Sequence, residues 1–178
     1  FPAKDENPIL QDFATSTVAG GKCMLAASKG ESIPEGWTLD PEGNATTDPN
    51  DFVAGGALLP FTQHKGWAMG VVVEVLCGIL NGAGVLDEYK MQNASTMIVL
   101  NIEAFMPINE FKLKVDNLIR KLKNSPKAPG VKEILVPGDP EFRAKEIRLK
   151  EGIPLPLTTW NAIKEIAKNL KVDIAPNN

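Results

Sequence analysis

The run from Gly66 to Ala83 constrains this chain more than any other stretch. It is apolar nearly all round, carries one charged residue, Glu74, and is interrupted by Gly70, Gly78 and Asn81. A membrane-spanning helix needs about 20 predominantly apolar residues. A shorter run broken by glycines reads instead as a helix enclosed by the rest of the fold. The expectation is a central buried helix over 65–82, opened by His64-Lys65 and closed by Asn81-Gly82.

The chain is long enough to enclose such a helix. Its 178 residues suit one domain, or one and a small lobe, at roughly 100–200 residues per domain. A chain of this size buries about 70% of its unfolded surface, so it needs no disulfide or metal staple. Apolar residues make up 43% and charged residues 23%, which is ordinary for a globular domain and argues against intrinsic disorder. A net charge of -3 forces no basic face, so neither nucleic acid nor a membrane is an expected partner. Two cysteines, Cys23 and Cys77, are too few for a secreted disulfide framework. With a single histidine, they also make a Cys/His zinc site improbable, and no metal is expected. Both cysteines read as small buried hydrophobes, and a cytoplasmic protein is the expectation. Phe1–Pro8 contains Lys4, Asp5 and Glu6 and lacks an apolar core, so it does not read as a signal peptide. A first residue other than Met points to a processed or partial chain.

Periodicity supplies the remaining elements. Val18–Ser28 reads as a small-residue helix packed through Val18, Met24, Leu25 and Ala26, with Gly30 as its stop. Ile33–Gly43 is a Pro/Gly loop with a short strand at Trp37–Leu39. Thr96–Ala104 alternates and predicts a strand covered on both faces. Glu110–Asn124 predicts an amphipathic helix with Phe111, Val115, Leu118, Ile119 and Leu122 inward. Glu133–Val136 predicts a short strand ending at Pro137-Gly138. Thr158–Leu170 predicts a last helix with Trp160, Ile163, Ile166, Ala167 and Leu170 inward. Helices and strands mix without a regular βαβ beat, so the fold class is α/β of the mixed α+β kind. No G-x-G-x-x-G follows a strand, and a Rossmann site is not supported. The division expected is a region over 1–106 built round the central helix, and a C-terminal region over 107–178 that completes the fold.

Three constellations could carry chemistry. Asp12 stands before Thr15, Ser16 and Thr17, whose hydroxyls either cap the following helix or hold a phosphate at its start. His64-Lys65-Gly66 opens the apolar helix. A cation there opposes the helix dipole unless an anion sits beside it, and the glycine lets a ligand approach the backbone. Pro137-Gly138-Asp139-Pro140 is either a plain turn or a loop that meets ribose or phosphate. Residue patterns alone leave these alternatives open.

The order of the motifs is more specific than any one of them. Pro8-Ile9-Leu10-Gln11-Asp12-Phe13-Ala14-Thr15-Ser16 followed by Gly21-Lys22, Ile33-Pro34-Glu35-Gly36-Trp37, Gly56-Ala57-Leu58-Leu59-Pro60, His64-Lys65-Gly66-Trp67 and Val136-Pro137-Gly138-Asp139-Pro140-Glu141 together resemble the malate/L-lactate dehydrogenase family of non-Rossmann 2-hydroxyacid dehydrogenases. The resemblance covers nearly the whole chain. It implies a nicotinamide-binding lobe with a largely antiparallel sheet flanked by helices, and hydride transfer between NAD or NADP and a 2-hydroxy or 2-oxo acid. It places Leu10, Gln11, Asp12, Phe13, Ala14, Thr15 and Ser16 along the cofactor, with His64 and Lys65 touching it and Gly138, Asp139 and Pro140 meeting it from another side. Asp12 would orient a catalytic histidine. Members of the family are about twice as long and dimeric. Their earlier half supplies that histidine and the arginine that grips the substrate carboxylate. This chain therefore resembles the C-terminal half, expected to be inactive alone, with the N-terminal half and a second copy as expected partners. Asn93-Ala94-Ser95 departs from the Gly-His that the family tends to show before the next strand. The alternative is a dinucleotide-binding or structural half-protein without catalysis.

Overall fold

Helix α1 (Gly20–Lys29) stops at Gly30 for the expected reason. Gly30 takes the left-handed conformation, with φ 68°, which a residue without a Cβ adopts at little cost. Its N–H donates to the Ala27 carbonyl, and the Glu31 N–H donates to Ala26. The side chain that anchors α1 is Cys23, fully buried, whereas Met24 and Leu25 are exposed. The helix is made of small residues and turns its narrow face inward, where Cys23 and Ala26 meet Val18, Ile33, Trp37, Phe52 and Leu58. Burial pushes the Cys23 thiol up, against a smaller opposing effect of its backbone hydrogen bond, so it stays a neutral apolar side chain.

The computed structural model describes residues 1–85 and 93–173. After α1, β1 (Thr38–Leu39) lies between β2 (Ala45–Thr46) and β3 (Ala57–Leu58) in a small antiparallel sheet of order β2-β1-β3. Thr38 faces Thr46 on one side and Leu58 on the other. The strand expected at Trp37–Leu39 is thus β1, and its two partners come from stretches that read as loop. Between β2 and β3, α2 (Pro49–Val53) is capped by Asp48, whose side chain accepts the Asn50 N–H at 2.9 Å. Gly56 then threads a gap closed to larger residues, since a Cβ there would lie 2.2 Å from the Leu39 carbonyl oxygen.

Helix α3 (His64–Val73) runs on into a π-helical turn, Glu74–Ile79. The helix exists as expected, but its burial does not. Trp67 is 66% exposed, Val72 50% and Ile79 62%. A helix apolar on every face needs cover on every face, and the described residues cover only one. The strand expected over Thr96–Ala104 is likewise absent. Residues 93–101 form no regular element, and Ile102–Ala104 is a single 3-10 turn. Met97 is 88% and Val99 82% exposed. A strand without a neighbour cannot satisfy its backbone groups in a ladder, and the one described sheet, β2-β1-β3, does not include this stretch. The Thr96 hydroxyl donates to the Leu76 carbonyl, and the Asn81 amide donates to the Ser95 carbonyl at 3.2 Å.

The chain divides into two compact units, Asp12–Asn101 and Phe1–Gln11 together with Ile102–Asn178. The first eleven residues thus pack with the C-terminal elements, although the sequence reading grouped them with residues up to 106. The reason is Asp116, on α4 (Ile108–Lys123). Its fully buried carboxylate accepts the N–H groups of Lys4 and Asp5 at 3.0 Å each and of Glu6 at 3.3 Å. Around it, Val115, Ile119 and Val136 pack with Ala3, Ile9 and Phe111. Leu118 and Leu122, expected inward, are exposed.

The strand expected at Glu133–Val136 does not form. Leu10 makes one bond to the Pro137 carbonyl, and proline has no N–H with which to extend a ladder. The segment leads instead into α5 (Asp139–Glu151), which sequence reading missed. Its thirteen residues are mostly charged, so no apolar stripe marks it. Helix α6 (Leu157–Leu170) forms where expected, yet none of its residues is buried. Ile163, Ile166 and Leu170 are exposed, while Trp160 and Ala167 are half-buried.

Burial alone would raise the Asp116 carboxyl. The N–H donors of Asp5, Lys4 and Glu6 and the nearby Arg120 outweigh it and hold it below the usual carboxylate range. Its stabilising effect is full above the unfolded-state value, about 4, and is lost as pH falls through the lower folded-state value. Limited proteolysis should therefore show residues 1–9 loosening at acid pH in the native chain, and already loose at neutral pH in Asp116→Asn. In the same unit, Ile119→Ala should cost about 2–5 kcal/mol in urea unfolding, because the cavity it leaves is fully enclosed.

Candidate functional site

The hydroxyl-bearing segment does not cap α1. Ala19 occupies that position and makes no side-chain cap, and the Ser16 hydroxyl donates to the Val18 carbonyl at 2.8 Å. Thr15–Thr17 instead lies antiparallel to Leu59–Phe61 through a bridge between Ser16 and Pro60. The Phe61 N–H donates to the Thr15 carbonyl at 3.1 Å, and the Thr17 N–H to the Leu59 carbonyl at 2.8 Å. Phe13 closes edge-on against Phe61, with ring centroids 5.5 Å apart, a favoured aromatic geometry.

From Phe61 the chain swings into α3 through Thr62 and Gln63, both with positive φ, 46° and 56°. Gly66 makes that swing possible. A Cβ there would lie 2.4 Å from the Phe61 carbonyl oxygen and 2.9 Å from the Thr15 carbonyl oxygen. The glycine lets the first turn of α3 rest directly on the paired backbones of Thr15 and Phe61. The N–H groups of Lys65, Gly66 and Trp67 are consumed in this turn, donating to Thr62, Phe61 and Gln63. What α3 offers at this end is therefore side chains. His64 and Lys65 are exposed, and neither side chain has a hydrogen bond or ion pair to a described residue. Asp12 is also exposed and unpaired among the described residues.

Two clefts flank Trp67. The larger, about 530 Å³, is walled by Leu58, Pro60, Trp67, Val71 and Val75 and floored by Thr15, Ser16 and Gly66. Among the described residues, Glu74 is its only charged lining residue. The smaller, about 430 Å³, lies toward Thr62, Gln63 and His64. The cleft and Glu74 were not singled out by sequence reading, and the only available signal was one carboxylate inside an apolar run.

The other predicted constellation lies in the other unit. Gly138 has φ 106°, and a Cβ there would stand 3.1 Å from the Leu10 Cβ. Leu10 and Gly138 are thereby in close approach, while Gln11 and Pro140 are exposed. Asp139 is buried, and both its oxygens are engaged. One accepts the Val136 N–H at 3.0 Å and the other the Lys123 ammonium at 3.0 Å. Burial raises this carboxyl, but the Val136 and Lys123 hydrogen bonds and the charges of Lys123 and Arg143 hold it below its usual range. Asp139 thus holds the turn that opens α5.

The family profile described as malate/L-lactate dehydrogenase matches residues 1–164. The chain belongs to that family. It is 38% identical to the malate dehydrogenase of Pyrococcus horikoshii over 97% of its own length and 51% of the relative's. It is 36% identical to the malate/(S)-sulfolactate dehydrogenase of Methanothermus fervidus, over 96% and 51%. Among solved structures, the sulfolactate dehydrogenase of Methanocaldococcus jannaschii superposes with a TM-score of 0.77 at 35% identity, over 97% of this chain and 51% of that one. The chain spans about half the length of the curated relatives it matches. The mixed α/β class with an antiparallel sheet, expected from the resemblance, is the observed one. Among the described residues no helix is long and apolar enough to cross a membrane.

Gly66→Ala should cost about 1–3 kcal/mol or more, because backbone rather than a flexible side chain must move. Gly138→Ala should cost a similar amount through its positive φ. Urea unfolding of each variant checks both, and a loss below 0.5 kcal/mol, the size of an ordinary surface change, would count against the close approaches.

Proposed function

We propose that this chain is the cofactor-binding part of an NAD(P)-dependent oxidoreductase that moves a hydride between a nicotinamide and a 2-hydroxy or 2-oxo acid. The observation that carries the reading is the seat made by Gly66, which sets the Thr15–Ser16 backbone against the helix end bearing His64 and Lys65. Family membership across residues 1–164 supports it.

The residues suit a dinucleotide. An apolar cleft accepts a flat ring, glycines at 66 and 70 leave room beside the backbone, His64 lines the second cleft across Trp67, and Lys65 immediately precedes Gly66 in the chain. Lys65 opposes the dipole of α3, so an anion beside it removes an unfavourable charge. In this reading Lys65 and His64 hold the pyrophosphate, and Phe13, Ala14, Thr15 and Ser16 line the ring-bearing portion. Asp12 serves to orient a histidine. Leu10, Gln11 and Gly138–Pro140 belong to the other unit and are assigned to the cofactor by the family resemblance alone. When bound, the cofactor supplies or accepts the hydride. His64 is the chain's only histidine and is taken up with the cofactor. The proton-transferring histidine and the carboxylate-gripping arginine then belong to the polypeptide that corresponds to the other half of the relatives. The exposed apolar faces of α3 and of residues 97–100 are the surfaces such a half, or a second copy in a dimer, would cover. Cys23 and Cys77 are both free thiols, in keeping with a cytoplasmic setting.

Calorimetric titration of NADH and NADPH into the purified chain tests this. Saturable binding of at least one is expected, weakened about tenfold by Lys65→Ala, the loss of one charge-assisted contact. A folded chain that binds neither would refute the reading. With malate as substrate and cofactor bound, the chain by itself should show no change in nicotinamide absorbance.

A further inference from the structure

Glu74 stands where the α-helical register of α3 gives way to a π turn. The wider register is visible in the bonds from Leu80 N–H to the Val75 carbonyl, at 2.9 Å, and from Ala83 N–H to the Gly78 carbonyl, at 3.0 Å. Short π turns in helices are frequent at functional sites, and this one closes α3. Here Glu74 lines the larger cleft, and its Oε2 lies 3.5 Å from where a Cβ on Gly78 would be. It has no hydrogen bond or ion pair to any described residue. A carboxylate without a partner among the described residues, beside a wall that is mostly apolar, is placed to accept hydrogen bonds from a ligand.

A dinucleotide offers few groups that suit it. Phosphates are repelled, and the turn of His64 and Lys65 at the start of the same helix offers them side chains of the opposite kind. The ring faces suit the apolar side chains of Trp67, Val71 and Val75. The vicinal hydroxyls of a ribose remain: two adjacent donors that match the two oxygens of one carboxylate. Unrelated dinucleotide-binding folds use an acidic side chain on ribose in this way.

We infer that Glu74 is the specificity-determining residue of the cofactor cleft: its carboxylate accepts the vicinal hydroxyls of a ribose and rejects a ribose bearing a 2′-phosphate, so that the chain takes NADH in preference to NADPH. The inference rests on the cofactor reading above. Its physical basis is like-charge exclusion. A phosphate at the 2′ position brings negative charge against the Glu74 carboxylate, and like charges at close range repel.

The test compares NADH and NADPH titrated into the full chain and into Glu74→Gln, a variant of nearly the same shape on an exposed position. The native chain should bind NADH at least about tenfold more tightly than NADPH. Glu74→Gln should shrink that gap to about threefold or less, mainly by tightening NADPH as the repulsion disappears. A second measurement needs no variant: rising salt should narrow the gap in the native chain, because it screens the repulsion that NADPH alone suffers. Equal affinities in the native chain, a gap that Glu74→Gln leaves unchanged, or a gap indifferent to salt would overturn the inference while leaving the cofactor reading intact. Binding of neither dinucleotide would overturn the cofactor reading, and the inference with it.

Discussion

The contact of Gly66 with the backbones of Phe61 and Thr15 organises the unit that holds the candidate site. Because no side chain intervenes, the first turn of α3 sits directly on an antiparallel pair made by Thr15–Thr17 and Leu59–Phe61. The positive φ values of Thr62 and Gln63 are what this close approach requires of the connecting turn. A residue other than glycine, asparagine or aspartate accepts such angles only where the surroundings impose them. From the same seat follow the outward direction of His64 and Lys65, the position of Trp67 between two clefts, and the arrival of Glu74 at the wall of the larger one.

The two units differ in how they use charge. In the unit containing α4 and α5, the carboxylates that matter are engaged within the chain. Asp116 gathers three backbone N–H groups, Asp139 bonds to Val136 and Lys123, and Glu133 forms a two-pronged pair with Arg143. Around α3 the opposite holds: Asp12, His64, Lys65 and Glu74 make no side-chain bond to the described residues. Buried charge that is satisfied locally stabilises a fold, whereas unsatisfied polar groups beside a cleft are free to meet a ligand. That contrast, more than the presence of any one residue type, makes the α3 side the candidate site.

Apolar surface tells a parallel story. The two described cores are small, built on Val18, Cys23 and Ile33 in one unit and Val115, Ile119 and Val136 in the other. Trp67, Met97, Ile98 and Val99 meanwhile remain in contact with solvent. A domain that keeps such residues exposed either associates or aggregates. The curated relatives run to about twice this length, so in them an equal amount of further chain is present to provide cover.

Local signals survived translation into structure, and non-local ones did not. The stop of α1 at Gly30, the span of α4 and the start of α6 after Pro156 depend on neighbours within a few residues, and the sequence contains those neighbours. The order of the motifs was enough to identify the family for the same reason. Burial of the 65–82 helix and pairing of Thr96–Ala104 depend on partners distant in the chain or outside it, and periodicity cannot supply them. Helix α5 went unseen because its residues are charged on nearly every side and its Pro-Gly-Asp-Pro opening reads as a turn. The candidate site divides along the same line. Its residue types, hydroxyls before a glycine pair and a His-Lys-Gly before an apolar helix, were visible in the sequence. That the backbone of Thr15–Thr17 pairs with Leu59–Phe61 while its hydroxyls leave α1 uncapped, that Asp139 is consumed by Lys123 and that Glu74 enters the cleft were decided only by tertiary structure. A side chain's partner is set by which backbones approach it, and that approach turns on long-range packing such as the missing Cβ of Gly66.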